Sequence, residues 1–228
     1  MSRARVFLAK AKMKLAIFFL EAWLRPERPA GMQRFGTYYG GWWIPSVDPD
    51  AGPAFCVGAG TDVTFDLELL RLGYRVYTAD PTPAAVEHVE GLGSDLTFIP
   101  VGVWTSVTEL EFAQDDVWEE SWMIGETTPS GTSTSTVEKM PVTTVRRLVE
   151  DAGETEAAVL KLDIEGAEHR VIEQMLGDGM RPLCLCVEFD DHRVRAVIAT
   201  TKLLRRAGYR LLQIEGLNHV YVREPAAG

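Results

Sequence analysis

A strand that runs into a glycine turn, then a helix, then a second strand ending in an acid leaves a chain few folds to choose from. This chain has that order at Phe55-Cys56-Val57-Gly58-Ala59-Gly60-Thr61-Asp62 and at Asp80. The apolar run at 54–57 enters Gly58-x-Gly60, and apolar residues at helical spacing follow: Val63, Leu67 and Leu70, with Phe65, Leu69 and Leu72 beside them. Gly73 breaks the helix, and residues 74–79 read as a second strand that stops at Asp80. Such a unit belongs in a parallel sheet, whose ligands bind beyond the carboxyl ends of the strands.

The glycines let backbone approach a ligand, and an acid ending the second strand can accept ribose hydroxyls. Asp80 lies 22 residues beyond Gly58, close to the spacing of about 20 expected of a ribose acid. A dinucleotide site asks for a third glycine at position 63, where the helix packs against the strand, and Val63 stands there. The pattern therefore suits an adenosine cofactor without phosphates, S-adenosylmethionine, better than NAD or FAD. An NAD-dependent sugar oxidoreductase is the competing enzyme reading. A non-catalytic scaffold would have lost the glycine loop or Asp80, and both are present. The plainest alternative is a tight turn with Asp80 preceding Pro81.

The 228 residues suit a single domain, 31–228, preceded by a basic amphipathic helix and linker at 1–30. The net charge of −10 argues against nucleic acid as a partner. Charge is unevenly placed: residues 1–28 hold seven basic groups against Glu21 and Glu27, a net of +5, which leaves −15 for the remainder. The apolar part of this helix is too short for a membrane span, and Leu24-Arg25-Pro26 offers no small-residue cleavage site. Docking through Leu15, Phe18 and Phe19, on the domain or on a second copy in a homo-oligomer, is favoured over contact with an anionic membrane surface. Cys56, Cys184 and Cys186 read as small core residues, which fits a reducing, cytoplasmic setting.

Further units repeat along the chain. A helix is expected over 83–91, with Val86 and Val89 inward, and a strand over 96–100. Residues 101–112 suggest a hairpin, and 115–139 read as irregular, with a Ser/Thr tract at 127–136 as a mobile loop. Strands are expected at 157–164 and 182–189, each followed by a helix, and a terminal hairpin at 209–222, where His219 reads as a hairpin or surface residue, as does His88. Glycine-spaced aromatics at 35–45 suggest a lid over the sheet edge. The order is α/β: a mostly parallel seven-stranded sheet with helices on both faces and a late antiparallel strand.

Two more strand ends carry acids. The run at 157–164 ends in Asp163 and Glu165, with Glu168 a helical turn on, and the run at 182–189 ends near Glu188, Asp190, Asp191 and His192. Both ends should converge on the glycine turn. An acid there can orient a cationic methyl donor, and an acid or imidazole can take a proton from an acceptor hydroxyl. Helix capping is the alternative role for Asp163 and Glu165.

Four segments together resemble the FkbM-type S-adenosylmethionine-dependent methyltransferases. They are Tyr39-Gly40-Gly41-Trp42, the run from Val57 to Leu67, Ala79-Asp80-Pro81-Thr82-Pro83, and Leu160-Lys161-Leu162-Asp163-Ile164-Glu165-Gly166-Ala167-Glu168, the last being the most specific. The resemblance implies a class I methyltransferase (Rossmann-like) fold and O-methylation of a sugar, glycolipid or polyketide-type metabolite, so a small-molecule or glycan acceptor, in secondary metabolism or carbohydrate modification. By position, Gly58 and Gly60 would lie under the methionine part of the cofactor, Asp80 would hold the ribose, and Val101, Gly102 and Val103 would flank adenine. Ala59, Asp62, Pro81, Thr82 and Asp163 complete the cofactor-binding set. Asp163 would face the reaction centre, with Glu165 and His192 as further catalytic candidates. The Phe189-Asp190-Asp191-His192 ending is more acidic than the family pattern and is similar to metal-dependent sugar O-methyltransferases. That likeness makes Asp163, Asp190 and Asp191 candidate magnesium ligands, below the metal-free reading.

Overall fold

The computed structural model describes residues 3–115, 121–123 and 135–223, with side chains at 11–112 and 138–223. Helix α1 (Arg3–Leu24) leads into a short antiparallel pair, β1 (Gln33–Phe35) and β2 (Trp42–Ile44). The glycine-turn unit follows as β3 (Ala54–Val57), α2 (Thr64–Arg71) and β4 (Val76–Ala79), then α3 (Pro83–Leu92) and β5 (Thr97–Ile99). Next come β6 (Gly102–Val103), β7 (Thr108–Asp115), β8 (Ser121–Met123), β9 (Ser135–Thr143) and α4 (Val145–Asp151). The chain then alternates through β10 (Val159–Leu162), α5 (Glu168–Gly177), β11 (Cys184–Glu188) and α6 (Val194–Arg206), and closes on the hairpin β12 (Tyr209–Glu215) and β13 (Asn218–Arg223).

Seven strands form the main sheet in the order β12-β13-β11-β10-β3-β4-β5. Neighbours from β11 to β5 run parallel, and β13 lies antiparallel between β11 and β12. The central strands are buried on both faces, so their sequences read as apolar runs rather than alternations. Phe55, Val57, Leu160, Leu162, Leu185 and Val187 face one core with Leu148 of α4, Val171 of α5 and Val197 of α6. Ala54, Cys56, Val159, Cys184 and Cys186 face the other, with Phe65 and Leu69 of α2 and Trp42 of β2. The three cysteines are free and buried, and burial first of all raises the thiols of Cys56 and Cys186, which keeps them protonated.

The expected hairpin at 101–112 does not form. Strand β7 pairs antiparallel with β9 and β8, and β6 pairs parallel with β9. The alternation at 107–112 marks a strand, but it holds no information about a partner beginning at Ser135. The Ser/Thr tract lies outside the described residues, except for Ser135 and Thr136, which open β9. His219 sits in the terminal hairpin but is wholly buried, edge-on to Phe189 with ring centroids 4.9 Å apart. Burial holds its pKa down to about 3.

On its own domain, helix α1 docks through residues other than Leu15, Phe18 and Phe19. Leu20 and Leu24 are buried in the core and Ile17 packs against it. Leu15, Phe18 and Phe19 instead face outward. The apolar run is apolar on two sides, and only one side fits the domain. The connection is fixed further on: Arg205 Nη2 donates to the Leu24 carbonyl at 2.5 Å, and the Glu27 and Arg28 amides donate to Leu211 and Leu212 of β12. No helix among the described residues is long and apolar enough to cross a membrane.

Candidate active site

The two glycines of the turn are required for different reasons. At Gly58, φ is +87°, and an added Cβ would lie 1.9 Å from the Asp163 carbonyl oxygen, because the exit of β10 crosses directly over the turn. At Gly60, φ is +49° and nothing lies within 4 Å of an added Cβ. The first glycine is closed against protein, and the second opens onto space a ligand can occupy.

Lys161 grips this turn. It sits in an apolar strand between Leu160 and Leu162, is 3% exposed, and donates from Nζ to the Gly58 carbonyl. The same ammonium lies 3.4 Å from Asp163 Oδ2. Burial works against its charge, but Asp163 and then Asp66 more than offset that and hold its pKa above the usual lysine value. Asp66 of α2 is itself buried and accepts from Thr78 Oγ1 at 2.7 Å. Burial raises its pKa, with Lys161 and Thr78 pulling the other way. A buried charge needs this kind of partnering, since its desolvation costs several kcal/mol on the order set by such groups.

Asp80 ends β4 beside the turn. Its Oδ2 accepts from the Ala59 and Gly60 amides at 2.9 and 3.1 Å, and its Oδ1 from the Thr82 amide and hydroxyl at 2.8 and 2.6 Å. These four bonds use the acceptor capacity of a carboxylate. Asp80 is therefore the brace of the glycine turn, and any ribose hydroxyl it accepted would have to share or replace the turn's amides. Pro81 lies against Gly102, where an added Cβ would come within 3.2 Å of the proline ring. That contact brings β6 beside the Asp80 segment, with the Val103 side chain turned into the core.

Asp62 holds the entry to α2. Its Oδ1 accepts from the Thr64 amide at 3.0 Å and hydroxyl at 2.6 Å, and its Oδ2 accepts from the Thr37 hydroxyl. Burial opposes its charge, but these bonds outweigh it and lower the carboxyl's pKa. Thr37 belongs to the β1–β2 loop, which wraps the Arg34 guanidinium: Nη1 donates to Thr37 O at 2.5 Å and Nη2 to Tyr38 O at 2.9 Å. The aromatic segment thus has two parts: Trp42 is buried near Phe65, and Tyr38 and Tyr39 project outward.

Beyond Asp163 the chain turns sharply. Glu165 takes φ +54° and Gly166 φ +95°, a pairing that costs about 1 kcal/mol at the non-glycine position. Glu168 fastens the turn, its Oε1 accepting from the Gly166 amide at 2.7 Å. It is fully buried, and nothing among the described residues hydrogen-bonds its Oε2. Burial, then Asp190 and Asp163, raises its pKa well above the usual carboxyl value, with the Gly166 amide pulling back.

At the end of β11, His192 Nδ1 lies 2.8 Å from the Asp190 carbonyl. A carbonyl only accepts, so Nδ1 carries the proton and Nε2 is left as the basic nitrogen. The candidate metal ligands Asp163, Asp190 and Asp191 are not assembled as a set. Among the described residues no group of three or more His, Cys, Asp or Glu is placed to hold a metal ion. The reason is local: Arg193 takes both oxygens of Asp191, at 2.7 and 2.5 Å, and Asp163 faces Lys161. The Arg193 bonds, chiefly, lower the Asp191 pKa.

Lys161 and Asp66 had no role assigned from sequence, and neither did His169, which ties α5 to α6 through Thr200 Oγ1 at 2.7 Å and to the Asp191 carbonyl at 3.0 Å. The signal for Lys161 was there: a charge in the middle of an apolar strand must be partnered.

A family model described as the methyltransferase FkbM domain matches residues 57–211. That stretch holds the glycine turn, Asp80, Lys161, Asp163 and the β11 end. No curated protein and no solved structure matched.

Proposed function

The chain belongs to the FkbM methyltransferase family, and on that premise we propose that it moves a methyl group from S-adenosylmethionine to a hydroxyl of a sugar, glycolipid or polyketide-type metabolite. The observation that carries this reading is the meeting of the open glycine turn, Asp80 and Asp163 at the carboxyl ends of β3, β4 and β10. Strand order reverses between β3 and β10, the position where open α/β sheets bind ligands. With β13 as its antiparallel insertion, we read the sheet as the class I methyltransferase arrangement, Rossmann-like.

The chemistry at the α2 start favours S-adenosylmethionine over NAD. A pyrophosphate would need that helix N-terminus, but the Asp62 carboxylate already occupies it and Val63 is packed against Ala85 and Val89. The residues fit a phosphate-free adenosyl cofactor: Gly60 leaves room above the turn, Asp80 is the acid beside it, and Gly102 lies next to Pro81. S-adenosylmethionine, when bound, supplies a methyl group on a sulfonium that an oxygen can attack. The chain's own residues supply positioning and proton removal. Lys161 fixes Asp163 as an oriented anion at the turn. His192 is the proton acceptor, because its Nδ1–H bond to Asp190 presents Nε2 for the task. Glu165 stands on the sharp turn that follows Asp163. Among the described residues no set of carboxylates is gathered to hold magnesium.

The test supplies methyl-labelled S-adenosylmethionine with pools of sugars, glycolipids and hydroxylated polyketides. Labelled methyl ethers support the proposal, and label found only on amines or carboxylates contradicts it. With an acceptor in hand, His192→Ala is expected to lower turnover by about 10²–10⁴-fold.

A further inference from the structure

Helix α1 carries an apolar face that the domain leaves uncovered. Leu15, Phe18, Phe19 and Trp23 are 59, 67, 58 and 67% exposed. Their spacing places them along one side of the helix, one to two turns apart. The opposite side is spoken for: Leu20 and Leu24 are in the core, Arg205 holds the Leu24 carbonyl, and the Glu27 and Arg28 amides are bonded to β12. The helix cannot turn its exposed face inward without giving up those anchors.

Charge narrows the occupant. Lys12 and Lys14 are exposed beside the stripe, and residues 1–28 carry +5 on a chain whose remainder carries −15. An isologous dimer through this face would set one +5 segment against another. An anionic lipid surface instead offers both a counter-charge for the lysines and an apolar layer for Phe18, Phe19 and Trp23.

We propose that α1 seats the protein on an anionic membrane surface, inserting Leu15, Phe18, Phe19 and Trp23 at the headgroup–acyl boundary with Lys12 and Lys14 against lipid phosphates. The acidic bulk of the domain is repelled by the same surface, so the protein is held by this one pole and its contact is reversible and salt-sensitive. The proposal is independent of the transferase reading, since it concerns binding alone.

The experiment uses the full chain with vesicles of phosphatidylcholine, and of phosphatidylcholine mixed with phosphatidylglycerol, read by co-sedimentation and by quenching of tryptophan fluorescence with brominated lipid. Binding to the anionic vesicles only, lost at about 0.5 M salt, is expected. Quenching should fall in Trp23→Phe, and affinity should drop at least about tenfold in Lys12→Glu/Lys14→Glu and in Phe18→Ser/Trp23→Ser, with unchanged circular dichroism. Failure of the unsubstituted chain to bind, or equal binding to both vesicle types, overturns the proposal. So does a concentration-dependent dimer abolished by Phe18→Ser/Trp23→Ser in the absence of lipid binding, which would assign the face to a second copy.

Discussion

Lys161 donates to the carbonyl of Gly58 from a neighbouring strand, so the residue that opens the glycine turn is held by a buried cation two positions before Asp163. One side chain thereby links the turn, the β10 acid and, through Asp66, the first helix after the turn. Replacing it with methionine keeps the length and removes the charge. Lys161→Met is expected to destabilise the fold by about 3–5 kcal/mol, the cost of leaving a buried partner charge alone. Urea unfolding measures it, and a double-mutant cycle with Asp66→Asn should return a coupling of roughly 0.5–3 kcal/mol. Additive single changes would contradict a shared network.

The two glycines should separate fold from binding. Gly58→Ala meets the Asp163 carbonyl and a positive φ, and is expected to give little folded protein. Gly60→Ala meets open space, so its fold cost should be about 1 kcal/mol, from the left-handed backbone alone. Its larger effect should fall on cofactor affinity. Thermal melts and ligand titration of the two variants check the contrast.

His219 makes stability depend on acid. Its folded pKa is about 3, below the unfolded value of about 6.5. Between those values the unfolded chain binds more protons, so stability falls as pH drops below about 6.5. The loss from this group should be about 2 kcal/mol at pH 5. His219→Phe, which keeps a ring between Phe189 and Tyr221, should remove that part of the pH dependence. Parallel stability–pH curves for the two proteins would contradict it.

Glu168 acts with the opposite sign. Its folded pKa is raised by burial and by Asp190, so above the usual glutamate value of about 4.3 the folded chain holds a proton the unfolded chain has released. Stability from this group therefore falls as pH rises, until the folded pKa is passed. Glu168→Gln keeps an acceptor for the Gly166 amide and has no proton to hold. It is expected to unfold at higher urea than the parent at pH 8, with the difference shrinking toward pH 5.

The succession of strands along the chain and the gathering of the glycine turn with Asp80 and Asp163 were legible because they rest on local signals. Gly58, Gly60 and Asp80 are near in sequence, and the runs ending at Asp163 and Glu188 are apolar because β10 and β11 are covered on both faces. What was hidden rests on contacts between distant segments. Nothing at 107–112 indicates that β7 pairs with β9. Leu15 and Leu20 are equally apolar, and only the shape of the domain decides which is buried. The motif at 160–168 draws the eye to Asp163, Glu165 and Glu168, but no sequence signal shows that Arg193, two residues on, holds both oxygens of Asp191.

Ligand binding at the glycine turn tests the central claim most directly. In calorimetric titrations of the unsubstituted chain, S-adenosylmethionine and S-adenosylhomocysteine are expected to bind at a single site, and NAD is not. Asp80→Ala removes the acid that braces Ala59 and Gly60, and should weaken both adenosyl ligands by about 1–3 kcal/mol while the chain stays folded. Binding of NAD without the sulfonium, or adenosyl binding unchanged in Asp80→Ala, would contradict the account.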